Sequence, residues 1–182
     1  MRSALIGGIG NVLLGDDGVG PYVLRVLESQ YTFGADIELL DLGTPALDLT
    51  HQIVGRRSLI LIDSVASGDA PGSVVLYRKQ DIVSIAPPER LDPHSPALSE
   101  CLMTAEMLGS SPEHILLVGI VGTNYEPGDP LSPAVKASVD SAIEAIVGEL
   151  RSLGYSCEKN SFPETPIIWW NQNGPKKTAA LM

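Results

Sequence analysis

The chain has 182 residues, 44% of them hydrophobic but only 5% aromatic, and its 12 Lys and Arg stand against 22 Asp and Glu for a formal net charge of −10. That length is most economically one domain around an aliphatic core. An acidic chain without a basic cluster is excluded as a nucleic-acid binder and as a ligand of anionic membranes, because neutralising phosphates supplies most of the non-specific affinity.

The N-terminus, "MRSALIGGIGN", reads as a first strand and not as a signal peptide. Apolar, largely β-branched runs predict strands over residues 3–9, 36–42, 58–63, 73–78 and 115–121. They are continuous and not strictly alternating, which predicts a sheet covered on both faces. Helices are predicted over 19–30, with Val19, Val23, Val26 and Leu27 on one stripe and Pro21 tolerated in the first turn, then over 45–54 and 95–108. The last helix has Ser132 as N-cap and Pro133 at its first position. Its stripe is Val135, Val139, Ile143, Ile146, Leu150 and Leu153, and Gly154 stops it. Strands alternating with helices give α/β architecture: a three-layer, doubly wound, mostly parallel sheet with helices on both faces. The link over 64–72 is too short for a crossover helix, so the fourth strand is expected to run antiparallel. One domain over 1–155 and a partly mobile tail over 156–182, containing Trp169 and Trp170, complete the expected organisation. Residues 79–97, with Pro87, Pro88, Pro93 and Pro96, form a long connection of the kind that carries function. No apolar run approaches the roughly 20 residues that span a bilayer. Two cysteines, Cys101 and Cys157, make neither a disulfide framework nor a zinc-finger pattern, which suits the cytoplasm.

Ligands of open α/β sheets bind beyond the carboxyl ends of the strands. There the first strand delivers "GIGNVLLGDDGVG", the second Asp41-Leu42-Gly43-Thr44, the third Asp63, and the long connection Asp92-Pro93-His94. A dinucleotide fingerprint would need glycine at position 13, which is Leu13, and a pyrophosphate would meet Asp16 and Asp17. Two like charges about 4 Å apart repel by about 4 kcal/mol at an effective dielectric of about 20. A helix N-terminus, worth at most ~2 kcal/mol to an anion, does not offset that. The opposite ligand fits better: Asp17, Asp63 and His94 are a mixed oxygen and nitrogen donor set for a divalent transition metal. Blander roles compete for each. Asp16 or Asp17 could cap the helix that contains Pro21, Asp63 could form an Asx turn, and His94 could be a surface histidine. His51 and His114 are assigned to structure, Cys101 to packing, and Ser95 and Ser99 lack a nucleophile elbow.

The motifs "GIGNVLLGDDGVG", "DLGT", "LILIDSV" and "DPHSPALSE", in this order, resemble those of the hydrogenase maturation endopeptidases. The resemblance covers roughly residues 3 to 153. It implies a phosphorylase/hydrolase-like, twisted five-stranded sheet and a protease that removes the C-terminal extension from the nickel-loaded large-subunit precursor of nickel–iron hydrogenases. It places the family's metal-binding residues at Asp17, Asp63 and His94, the residues that their chemistry had already singled out. Nickel is then the implied metal, resident or brought by the precursor, with zinc or cadmium as substitutes in vitro. Asp17 and Asp63 are the implied catalytic carboxylates, and Gly43 and Thr44 orient the substrate chain; beside them Asp16 is expected either to support the ligands or to handle a proton. The chain is expected to act as a monomer. One departure stands out: the family pattern after the second strand is "DGGT", and here Leu42 replaces a glycine. Two other functions stay open at this point, a non-catalytic nickel-binding module that escorts the precursor and a dinucleotide-dependent oxidoreductase.

Overall fold

The computed structural model describes residues 3–45, 49–84, 95–168 and 170. Five strands form the central sheet: β1 (Ala4–Ile9), β3 (Ile37–Gly43), β4 (Ser58–Val65), β5 (Val74–Arg78) and β6 (His114–Val121). Their order is β3-β1-β4-β6-β5, parallel throughout except that β5 runs antiparallel to β6, as the short 66–73 link requires. The strands begin and end within two residues of the predicted positions.

Alternation along the central strands sorts the core into two halves. Ile6, Ile60, Ile62, Leu116, Val118 and Ile120 pack against α1 (Val19–Gln30) and α5 (Pro133–Ser152) on one face. Leu5, Leu59, Leu61, Ile115 and Leu117 pack on the other against α2 (Leu49–Ile53), α3 (Lys79–Ser84) and α4 (Ser95–Met107). Residues of both periods are apolar, so the strands read as continuous runs, and the three-layer α/β architecture follows. Helix α5 starts as expected: the Ser132 hydroxyl accepts the Val135 amide and Pro133 takes the first turn. Gly154, at φ 83°, follows its end.

Four short elements carry no visible period in the sequence. A 3-10 turn (Gly15–Gly18) precedes α1, and α3 occupies the start of the segment expected to be irregular, anchored by buried Ile82. Two three-residue strands, β2 (Tyr31–Phe33) and β7 (Cys157–Lys159), pair antiparallel as a second sheet, so ordered structure continues past residue 155. Trp170 is half-buried, and Trp169 lies outside the described residues.

From β1 the chain goes to one side for β3, then passes back to the other side for β4. The carboxyl ends of β1 and β4 therefore flank a topological switch point, the crevice where open α/β sheets take their ligands.

Candidate active site

Glycines shape the turn after β1 because backbone, not side chain, fills the space there. At Gly10 φ is 129°, and a Cβ would lie 1.8 Å from the carbonyl oxygen of Asp17. At Gly20, in the first turn of α1, a Cβ would lie 2.2 Å from the Ile9 carbonyl oxygen and 2.4 Å from that of Ile62. The start of α1 thus rests directly on the ends of β1 and β4, with no room for a side chain between them.

This turn carries Asp17 into the crevice. The side chain is 5% exposed, and its Oδ2 accepts the Asn11 amide at 2.7 Å. Among the described residues its Oδ1 has no hydrogen bond, and no Lys or Arg pairs with it. A buried carboxylate is costly without a compensating positive charge. Asp17 does not cap α1 either, because Gly18 is the N-cap and no side chain bonds there.

Asp63 lies across the switch point. The sequence places it at the end of its strand, but β4 runs on to Val65 and pairs Asp63 with Gly119 of β6. It is 2% exposed, and its Oδ1 accepts the Ser64 amide at 2.8 Å inside the strand, so it forms no turn. By alternation Asp63 points to the face of Leu59 and Leu61, and Ser64 to the face of Ile60 and Ile62.

Asp16 is fully buried, and of the two roles expected for it its partners suit support of the site better than proton handling. Its Oδ2 accepts the amides of Thr123 (2.9 Å) and Asn124 (3.0 Å), and its Oδ1 accepts that of Ser132 (2.6 Å). Three backbone donors occupy three of the carboxylate's about four acceptor positions. Asp16 binds the β6–α5 connection to the turn after β1, a role that gives no signal in the sequence because its partners are main-chain groups of distant residues.

The β3 end supplies Gly43 and Thr44. Gly43 has φ 57°, its amide donates to Asp41 Oδ1 at 3.1 Å, and its carbonyl accepts the Gly10 amide at 2.7 Å. The turn is thereby tied to the β1 turn, with Thr44 exposed beside it. Leu42 is the extra residue where the β1–β3 register shifts. No non-glycine among the described residues has positive φ, so this backbone does not need the glycine of the family pattern at 42. The Leu42 side chain instead covers Gly7, where a Cβ would come 2.4 Å from its Cδ1.

One group at the site is absent from the sequence-based expectations. Tyr125, 44% exposed, turns its hydroxyl inward to within 2.9 Å of Ser64 Oγ. Burial raises the phenol's pKa most. The Ser64 hydrogen bond works against this, and the charges of Asp16, Asp17 and Asp63 raise it further. The phenol is therefore a neutral hydroxyl within the field of all three acids.

His94 lies outside the described residues, as do Asp92 and Pro93. Among the described residues no three His, Cys, Asp or Glu side chains are grouped to hold a metal. The donor chemistry that is described suits a hard or borderline cation: two nearly fully buried carboxylates, with one oxygen of Asp17 unengaged. A pyrophosphate would meet the same acids with the wrong sign, which leaves the dinucleotide-dependent function without support. His114 opens β6 and His51 lies in α2, both in structural positions, and Cys101 lies on the buried face of α4, in the core.

Comparison with known proteins bears on this geometry. A family model described as hydrogenase maturation protease matches residues 21–149. The hydrogenase 2 maturation protease of Escherichia coli (strain K12) is 30% identical over 151 residues, covering 82% of this chain and 92% of that protein. The hydrogenase expression/formation protein HupD of Rhodobacter capsulatus is 32% identical over 165 residues, covering 90% of this chain and 79% of that one. Among solved structures, the hydrogenase maturating endopeptidase HybD from E. coli superposes with a TM-score of 0.80 at 30% identity, covering 88% of this chain and 99% of that chain. The NiFe hydrogenase maturation protease HybD from Thermococcus kodakarensis superposes with a TM-score of 0.65 at 30% identity, covering 82% and 99%.

Proposed function

This chain belongs to the hydrogenase maturation protease family, and we propose that Asp17, Asp63 and His94 form its peptidase site and bind a nickel ion carried by the substrate. The protein is a hydrolase, an endopeptidase of hydrogenase maturation. The substrate proposed for it is the nickel-loaded precursor of a NiFe hydrogenase large subunit, from which it removes the C-terminal extension. It does so as a monomer in the cytoplasm. Among the described residues no helix is long and apolar enough to cross a membrane, and Cys101 and Cys157 are buried thiols without a disulfide.

The observation that carries the site is the nearly buried carboxylate of Asp17, whose Oδ1 has no hydrogen bond and no Lys or Arg partner among the described residues, at the crevice flanked by β1 and β4. A divalent cation is the partner that such a group lacks. The Asn11 amide holds Oδ2, so Oδ1 would be the oxygen that Asp17 offers to a metal. The Ser64 amide fixes Asp63 within a paired strand, which limits its rotation. His94 directly precedes α4 in the chain and contributes the nitrogen donor. Bound nickel, or zinc or cadmium in its place, supplies a Lewis acid that can polarise a water or the scissile carbonyl. Gly43 and Thr44, tied to the β1 turn, lie where an extended substrate chain would cross the ends of β3 and β1. Asp16 stays outside the reaction, its oxygens engaged by three amides.

The test is to replace Asp17, Asp63 and His94 singly by Ala and follow the mass of a nickel-loaded precursor over time. Each substitution is expected to slow cleavage about 100-fold or more, in line with the loss of a metal ligand or its support. Full processing by all three variants would overturn the site. A precursor that binds wild-type protein but keeps its full mass would instead point to the escort module.

A further inference from the structure

We propose that Tyr125 is a positioning residue of this site: its hydroxyl holds Ser64, and through the Ser64 backbone it sets the orientation of the Asp63 carboxylate. The proposal rests on the assignment of Asp63 to the metal. Its basis is a continuous set of short contacts. The Tyr125 hydroxyl lies 2.9 Å from Ser64 Oγ, and the Ser64 amide donates to Asp63 Oδ1 at 2.8 Å. Ser64 is 1% exposed, so no water competes for its hydroxyl, whereas the ring of Tyr125 faces outward at the mouth.

The space for the phenol is specifically made. At Gly122 a Cβ would come 2.5 Å from the Tyr125 hydroxyl and 2.7 Å from Ser64 Oγ, so any other residue there would push the two apart. The segment that carries Tyr125 is held in turn by Asp16, which accepts the amides of Thr123 and Asn124 immediately before it. Asp16 thus fixes the loop, the loop fixes the phenol, and the phenol fixes the strand residue beside Asp63. Two neighbouring acids, Asp16 and Asp17, serve one site in different ways: Asp17 would hold the metal, and Asp16 braces the arm that steadies the opposite carboxylate. The neutral hydroxyl suits this position, since a charged group there would add to or cancel the negative field that attracts the cation.

The experiment is isothermal titration of the full-length protein with nickel chloride, comparing wild type with Tyr125→Phe, Ser64→Ala, the double variant and Asp63→Ala, alongside thermal melts and precursor cleavage. Tyr125→Phe and Ser64→Ala are each expected to weaken nickel binding about 10-fold, as loss of an outer partner of a metal ligand does. The double variant should be no weaker than either single one, because both remove the same link. Because the ion arrives with the substrate, Tyr125→Phe should raise the KM for nickel-loaded precursor while leaving the melting temperature unchanged. Wild-type nickel affinity in both single variants, with Asp63→Ala impaired, overturns the proposal and leaves the site standing. A lowered melting temperature without a change in affinity, or fully additive losses in the double variant, overturns it too. If Asp63→Ala binds nickel as wild type does, the site assignment falls and takes the proposal with it.

Discussion

Asp16 Oδ1 accepts the backbone N–H of Ser132 at 2.6 Å, which joins the turn after β1 to the N-cap of the last helix across most of the chain. Its other oxygen takes the amides of Thr123 and Asn124. One side chain thus fixes both ends of the β6–α5 connection. Asp16→Ala leaves three backbone donors without an acceptor. It is expected to cost about 3 kcal/mol, with unsatisfied buried groups costing about 1–3 kcal/mol each and water or loop relaxation recovering part. For a chain of this size that lowers the melting temperature by about 6–12 °C. A melting temperature equal to wild type, together with lost cleavage, would return Asp16 to proton transfer.

Gly10 and Gly43 both have positive φ but differ in their surroundings. A Cβ at Gly10 meets the Asp17 carbonyl oxygen at 1.8 Å, whereas nothing lies within 4 Å of one at Gly43. Gly43→Ala is expected to cost about 1 kcal/mol, the price of the left-handed backbone alone. Gly10→Ala must move the segment that carries Asp17 and is expected to cost more than about 4 kcal/mol, or to prevent folding. Urea denaturation of the two variants is the check, and equal midpoints would refute the distinction.

Leu42 stands where the family pattern has glycine, and its side chain covers Gly7. Leu42→Gly uncovers that part of β1 and frees the backbone, at an expected cost of about 2 kcal/mol. The turn itself should persist, because its left-handed position is Gly43 and its hydrogen bond from the Gly10 amide is main-chain. Nickel affinity unchanged at reduced stability is the expected pair of results, and lost affinity would show that Leu42 shapes the site.

Burial in β7 pushes the Cys157 thiol above its usual value of 9.0, and the charge of Arg151 opposes this to a smaller extent. The fold therefore favours the neutral thiol. This contribution to stability is complete below pH 9 and is lost as pH rises through the higher folded value. Peptide mapping after iodoacetamide treatment at pH 8 should show Cys157 alkylated at least about 10-fold more slowly in native protein than in denaturant, because only the thiolate reacts. Equal rates would mean that the β2–β7 pairing does not cover the thiol.

The long elements were legible because each repeats a simple pattern. Strands β1, β4 and β6 carry unbroken apolar runs (ALIGGI, LILI and ILLVGIV) and so declare burial on both faces, and α5 shows N-cap, proline, stripe and terminal glycine together. The antiparallel β5 followed from the length of one link. The pairing of Tyr31–Phe33 with Cys157–Lys159 did not, since three residues hold too little periodicity and the partners are far apart in the chain. Nor did α3, where Ile82 is the buried apolar residue.

For the site, the sequence by itself determined which residues carry chemistry: acids where a phosphate loop would need none, an aspartate closing an apolar strand, and a histidine before a helix. Residue type and local position suffice for that, because a carboxylate's charge and a glycine's freedom are properties of the residue. What only the tertiary structure decided was how the two adjacent acids differ. Among the described residues Asp17 keeps an oxygen unengaged, whereas Asp16 gives its oxygens to Thr123, Asn124 and Ser132, more than a hundred positions away. It also brought Tyr125 to Ser64. Those partners are chosen by the order of strands in the sheet, and hydrogen bonds to main-chain amides leave no mark on side-chain identity.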